Sequence, residues 1–407
     1  MSATATMPPT AASDPSPEAP LLQRLSTLDR FLPIWIFAAM GLGLLLGRVY
    51  PDLGAQLDRV QLAGVSVPIA VGLLWMMYPV LAKVRYEAIG EHAKDTRLLG
   101  TSLVLNWVVG PLLMLGLAWI FLPDLPEYRN GLVLIGLARC IAMVLIWNEL
   151  ACGSGELAAV LVALNSVFQI LTYSVLGWVF LTVIPGWFGA ESAVLDVTMG
   201  QIARSVGIFL GVPLVAGYLT RKVLVARKGG AWYDGVFIPK IGPTALLGLL
   251  YTIVLMFAMQ GHRIVELPLD VLRIAVPLLV YFVVMFGFAF WFSRRMGFDY
   301  QSTASLSFTA AGNNFELAIA VAVATFGIGS GEALAAVVGP LVEVPALIGL
   351  VYLSLALGRR WFGFTPSASE SPSPATSTST STSTSTSTSA ATSSARRPTT
   401  RRTTGRA

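Results

Sequence analysis

The sequence predicts an all-α polytopic membrane protein. Ten transmembrane helices form a 5+5 inverted-topology repeat with broken, crossing fourth and ninth helices. Three observations predict this. First, the 407 residues are 55% hydrophobic and only 12% charged, with a mean hydropathy of +0.71, whereas soluble domains carry about 25% charge. Second, ten apolar runs are each long enough to cross a hydrocarbon core of about 30 Å as a helix. Third, two of those runs resemble each other. In LIGLARCIAMVLIWNELACGSGE (134–156) and AAGNNFELAIAVAVATFGIGSGE (310–332), an offset of 176 lays Gly136 on Gly312, Cys140 on Glu316, Ala142 on Ala318 and GSGE on GSGE.

The chain opens with a polar, Pro-bearing segment, 1–30, expected to be a disordered cytoplasmic N-terminus. The apolar runs follow at 31–49, 66–83, 98–121, 130–150 and 156–184, the first repeat (31–184). The second repeat (200–357) holds runs at 200–220, 242–260, 271–292, 302–326 and 333–357. Residues 364–407 carry an STSTST run and a basic end, a composition that cannot bury a core. An even number of spans puts both termini on one side. That side carries 20 of the 27 Lys and Arg, the other six, and Arg139 lies inside a span. The positive-inside rule therefore puts both termini in the cytoplasm, and the expected location is the plasma membrane. The run at 31–49 is long enough to span and lacks a cleavage-type site, so it does not read as a signal peptide.

Five spans per half force the halves to point in opposite directions, the architecture of many secondary transporters. Segments broken by Gly or Pro then meet near the midplane, where non-helical backbone must face protein or a wet cavity. Gly136 and Gly312 are the expected break points, with Asn313 and Asn314 as partners for freed backbone groups.

The chemistry-bearing residues are few. There is no GxxxxGK[ST] loop, no CxxC pair and no metal spacing around His92 or His262, so no cofactor is expected. The net charge of +5 sits mostly in loops and tail and does not argue for nucleic acid. Glu316 has no charge within ten residues on either side. A carboxylate is costly inside a bilayer, by roughly 2.5–3.5 kcal/mol or more, so it either pairs, with Arg139 for example, or takes up a proton. Cys140 alone would read as an inert small hydrophobe. Its neighbour Arg139 favours the thiolate, a soft ligand that selects soft metals and metalloids. Cys152 is twelve residues on, about 18 Å along one helix at ~1.5 Å per residue, so the two sulfurs would not share an ion. Glu343 is a second apolar-flanked acid, either a charge partner of Arg139 or another titrating group. Asn106 and Asn148 either bond between helices or line a cavity. Trp107 and Trp147 suit packing or the interface, and Glu149 the cytoplasmic mouth.

GLARCIAMVLIWNELA, SLVLNWVVGPLLM, AAGNNFELAIAVAVATFG and PLVEVPALI, in the fourth, third, ninth and tenth runs, closely resemble the arsenical-resistance efflux permeases. These are ten-span carriers of the bile acid/arsenite/riboflavin transporter superfamily. The resemblance covers residues 31–357 and excludes both tails. It implies export of arsenite, often with antimonite, in exchange for protons. It also implies a required cysteine and glutamate, which fall on Cys140 and Glu316. The rival within the superfamily is a sodium-coupled organic-anion symporter, which needs no membrane thiol. A thiol redox enzyme would need more than two Cys at this spacing, and a passive channel would not stop when the proton gradient collapses.

Overall fold

The computed structural model describes residues 31–364, except 51, 58, 63–64, 85–94, 142, 188–198 and 267. The two terminal segments and His92 lie outside the described residues. Helices dominate because in lipid each backbone polar group must be satisfied within its own segment. In order they are α1 (Leu32–Val49), α2 (Val67–Lys83), α3 (Thr96–Phe121), α4 (Pro126–Leu137), α5 (Val144–Leu150), α6 (Gly155–Trp187) and α7 (Met199–Lys228). There follow α8 (Ile238–Glu266), α9 (Pro268–Arg295), α10 (Tyr300–Ala311), α11 (Phe315–Phe326) and α12 (Gly331–Phe362). Among the described residues, six helical stretches are long and apolar enough to cross a membrane, and three shorter apolar helices accompany them. The protein is an all-α polytopic membrane protein. One β-hairpin departs from that expectation: β1 (Gln61–Leu62) pairs with β2 (Val65–Ser66) just before α2.

The fourth and ninth apolar runs are each broken into two helices, α4/α5 and α10/α11. The others are continuous, although α6 and α7 widen to π-helical turns at Val179–Val183 and Gly207–Gly211, and α3 does so at Leu105–Val109. Pro111 follows that turn and has no N–H to give to the α-helical ladder.

Two groups of helices pack on themselves. The first is α1, α2, α8 and the C-terminal half of α7; α8 lies against both α1 and α2. Small residues bring these backbones close, as in other membrane helix pairs. A Cβ at Gly47 would stand 2.4 Å from the Ala258 carbonyl oxygen, and one at Gly248 2.9 Å from the Met76 nitrogen. The second group is α3, α4, α6, α9, α10, α11 and α12, centred on α9 and α12. An aromatic cluster seals one end of it, with Tyr300 stacked on Phe364 at 4.2 Å and edge-on to Phe290 and Phe362.

Candidate functional site

Both interruptions lie at one crossing. Helix α4 ends at Leu137 and its cap, Ala138, is extended; α10 ends at Ala311 and its cap, Gly312, is extended too. The two extended stretches run antiparallel, with Arg139 facing Asn313. Their hydrogen bonds are reciprocal: Cys140 N–H donates to the Gly312 carbonyl at 3.3 Å, and Asn314 N–H to the Ala138 carbonyl at 2.9 Å. Each half thus satisfies backbone groups that the other's broken helix leaves open.

Gly312 lies at the second break, where a Cβ would stand 2.9 Å from the Cys140 Cβ. Its absence lets the thiol-bearing strand approach. Gly136 is not a break point. It lies inside α4, pressed against Met114, and the chain leaves the helix two residues later. The register also corrects the pairing of Cys140 with Glu316. Arg139 opposite Asn313 is an offset of 174, which makes Asn314 the counterpart of Cys140 in the second half, although across the antiparallel ladder Cys140 lies opposite Gly312. The offset of 176 returns only at Ser154 and Ser330, each of which caps the next helix through its side-chain oxygen. The first interruption is longer and α5 is shorter than α11, and the net difference is two residues.

Arg139 is fully buried, yet its partners are neutral rather than a carboxylate. Its guanidinium donates to the Tyr281 hydroxyl at 2.9 Å, the Asn313 Oδ1 at 2.9 Å, the Ala310 carbonyl at 3.2 Å and the Gly136 carbonyl. The last two are exposed carbonyls at the C-terminal ends of α10 and α4, where helix dipoles concentrate negative charge. One cation therefore caps both broken helices. The Arg139 backbone N–H is held by the Gln169 side chain from α6, and Gly110 of α3 leaves room for the guanidinium. The expected pairing of Arg139 with Glu343 or Glu316 is absent. The Glu343 carboxyl lies instead beside the Asn313 backbone and within electrostatic reach of Glu316.

The Asn314 side chain caps α11 by accepting from Leu317 N–H at 3.0 Å. The amide nitrogens of Asn313, Asn314 and Gln169, the Arg139 Nε and one Glu343 oxygen are buried without a partner around this crossing. Asn106 and Asn148 are used elsewhere. Asn106 accepts from Asn165 and donates to the Ser102 carbonyl. Asn148 accepts from Ser305 at 2.7 Å, tying α5 to α10. Those bonds tie both into the helix packing. Trp107 donates to Asn165, and Trp147 is buried. Cys152 lies beyond α5 with a left-handed φ of 54°.

Glu316, in the first turn of α11, lines a cavity of about 450 Å³ between α2, α5, α8 and α11. Lys83 and Glu149 stand in the same cavity wall. Cys140 is buried, 3% exposed, while Met143 of the same interruption lines the cavity. Sequence reasoning missed Gln169 and Tyr281. Gln169 sits as a lone amide in the apolar run VFQIL, the signal that had marked Asn106. Tyr281 carried none, since a tyrosine in a span suits packing equally well.

A helical membrane protein whose two interrupted helices cross beside a cavity-lining carboxyl has the architecture of secondary transporters. Residues 70–267 match the model of the Sodium Bile acid symporter family. The chain is 52% identical to the arsenical-resistance protein Acr3 of Corynebacterium glutamicum over 86% of its own length and 94% of the relative's. It is 34% identical to the arsenical-resistance protein Acr3 of Alkaliphilus metalliredigens, over 82% and 94%. An uncharacterized transporter of Synechocystis is 34% identical over 80% and 88%. The chain belongs to the family of these Acr3 proteins, which are transporters and not enzymes.

Proposed function

We propose that this protein exports arsenite, and antimonite with it, across the plasma membrane in exchange for protons, with both termini in the cytoplasm and ten spans in a 5+5 repeat. The observation that carries the reading is the crossing, where the Cys140 strand is bonded to Gly312 beside a cavity-lining Glu316. The Acr3 relatives support the cargo. Arsenous acid is uncharged at neutral pH, and the Cys140 thiol exchanges reversibly for one of its hydroxyls, releasing water and forming one As–S bond. A single thiol gives modest affinity, which a carrier needs in order to release its cargo. The cargo enters through the 450 Å³ cavity. Movement of α1, α2 and α8 against the other group then exposes the crossing outward. Protonation of Glu316 from outside favours release and return, with Asn313 and Asn314 orienting the cargo's hydroxyls.

If one proton enters per neutral solute, the membrane potential contributes ~2.3 kcal/mol per ~100 mV. Each pH unit adds about 1.4 kcal/mol. Together they support a gradient of several hundred-fold without ATP. The test is arsenite accumulation in a sensitive host making wild type, Cys140→Ser or Glu316→Gln. Wild type lowers accumulation and neither variant does. Sodium-driven bile-salt uptake that survives Cys140→Ser would overturn the reading in favour of an organic-anion symporter.

A further inference from the structure

Glu316 borders a second cavity besides the wide one. This narrower space, of about 20 Å³, lies between α1, α2, α8, α11 and α12. It has room for about one water. Among the described residues, Met76, Leu249 and Glu316 alone line both, so they form the wall the two share. The walls are rich in one residue type. Met40, Met76 and Met256 line the narrow side; Met76, Met77 and Met143 line the wide side. Five of the 27 lining residues are Met, against 12 of 407 in the chain. They come from α1, α2, α8 and the first interruption, so no single helix pattern explains their meeting.

We infer that these five thioethers form a soft-ligand path on either side of Glu316 that holds trivalent antimony or arsenic transiently, before and after the Cys140 thiol. Thioether sulfur belongs with thiolate among ligands that prefer soft, polarizable ions. It is neutral and weaker, so it can pass cargo on without trapping it. Unbranched, flexible Met side chains also adapt to cargoes of different radius. Antimony, the larger and softer of the two, gains more from such contacts than arsenic. The proposal takes its cargo from the metalloid-carrier reading, but its binding test does not depend on transport.

The test uses the full chain labelled with selenomethionine, in lipid nanodiscs, exposed to trivalent antimony, with X-ray absorption read at the selenium edge. A selenium–antimony contact is expected in wild type and in Cys140→Ser. It is expected to vanish when all five are changed to Leu, although seven of the 12 methionines remain. Should that variant fail to fold, Met76→Leu/Met143→Leu and Met40→Leu/Met256→Leu are each expected to weaken the signal. Absence of the contact in wild type, or its persistence in the five-fold variant, would sink the inference. In everted vesicles the Leu variants should raise KM for antimonite about threefold more than for arsenite. An equal change in both would assign the methionines to packing alone. Wild-type vesicles that export neither metalloid would instead overturn the carrier reading and leave the selenium result standing.

Discussion

Arg139 is the residue on which the crossing depends. It reaches carbonyls of two helices 174 residues apart and has no carboxylate to balance it. Removing its side chain leaves the Gly136 carbonyl and the Asn313 oxygen short of a partner in an apolar interior, while the Tyr281 hydroxyl still donates to the Ala310 carbonyl at 3.3 Å. Each such orphan costs about 1–3 kcal/mol. Arg139→Met is therefore expected to lower the melting temperature in detergent sharply. Arg139→Lys should not restore it, because a single ammonium cannot fork toward both helix ends. At Glu316 the expectation is functional and not structural. Glu316→Gln keeps the shape of the cavity wall, so its melting temperature should match wild type while proton-driven arsenite uptake into everted vesicles is lost. Normal uptake by that variant would remove Glu316 from the coupling step.

At the scale of elements, the breaks in the fourth and ninth runs are held by packing as much as by hydrogen bonds. A methyl group at Gly312 would meet the Cys140 Cβ at 2.9 Å and the Phe308 carbonyl at 3.2 Å, neither of which can swing away. Gly312→Ala should cost about 1–3 kcal/mol by overpacking and reduce arsenite export by displacing the thiol strand. Gly287 in α9 makes the contrast, since nothing lies within 4 Å of a Cβ built there. Gly287→Ala should leave the melting temperature unchanged or raise it slightly, because Ala favours a helix by about 0.8–1 kcal/mol over Gly. The ten apolar runs all coincide with helical segments, because hydropathy over a window of that length is a local property. The location of the first break was less legible. A glycine marks where a helix can be interrupted, but Gly136 serves close packing on Met114 and the chain turns at Ala138 instead.

For the whole molecule, the proposal makes transport electrogenic, because a neutral solute leaves as a charged proton enters. Charge movement per arsenic exported, measured in proteoliposomes, should be one positive charge inward. An electroneutral cycle would overturn the one-to-one exchange. Collapse of the proton gradient should stop efflux, whereas a channel would keep running. Reporter fusions at either terminus should report the cytoplasm, as the Lys and Arg distribution predicts.

Composition, run lengths and isolated polar residues by themselves determined the membrane class, the helical segments and the candidates Arg139, Glu316 and Glu343. Each of these follows from the cost of placing a polar group in hydrocarbon, which neighbouring residues alone report. The partners of those residues were decided only by the tertiary structure. The crossing register of 174, the neutral cage around Arg139 and the diversion of Asn106 and Asn148 into interhelical bonds all join segments far apart in the chain. A periodic pattern says that a polar group must be satisfied. Which group satisfies it depends on how the helices meet, and no local window of sequence contains that geometry.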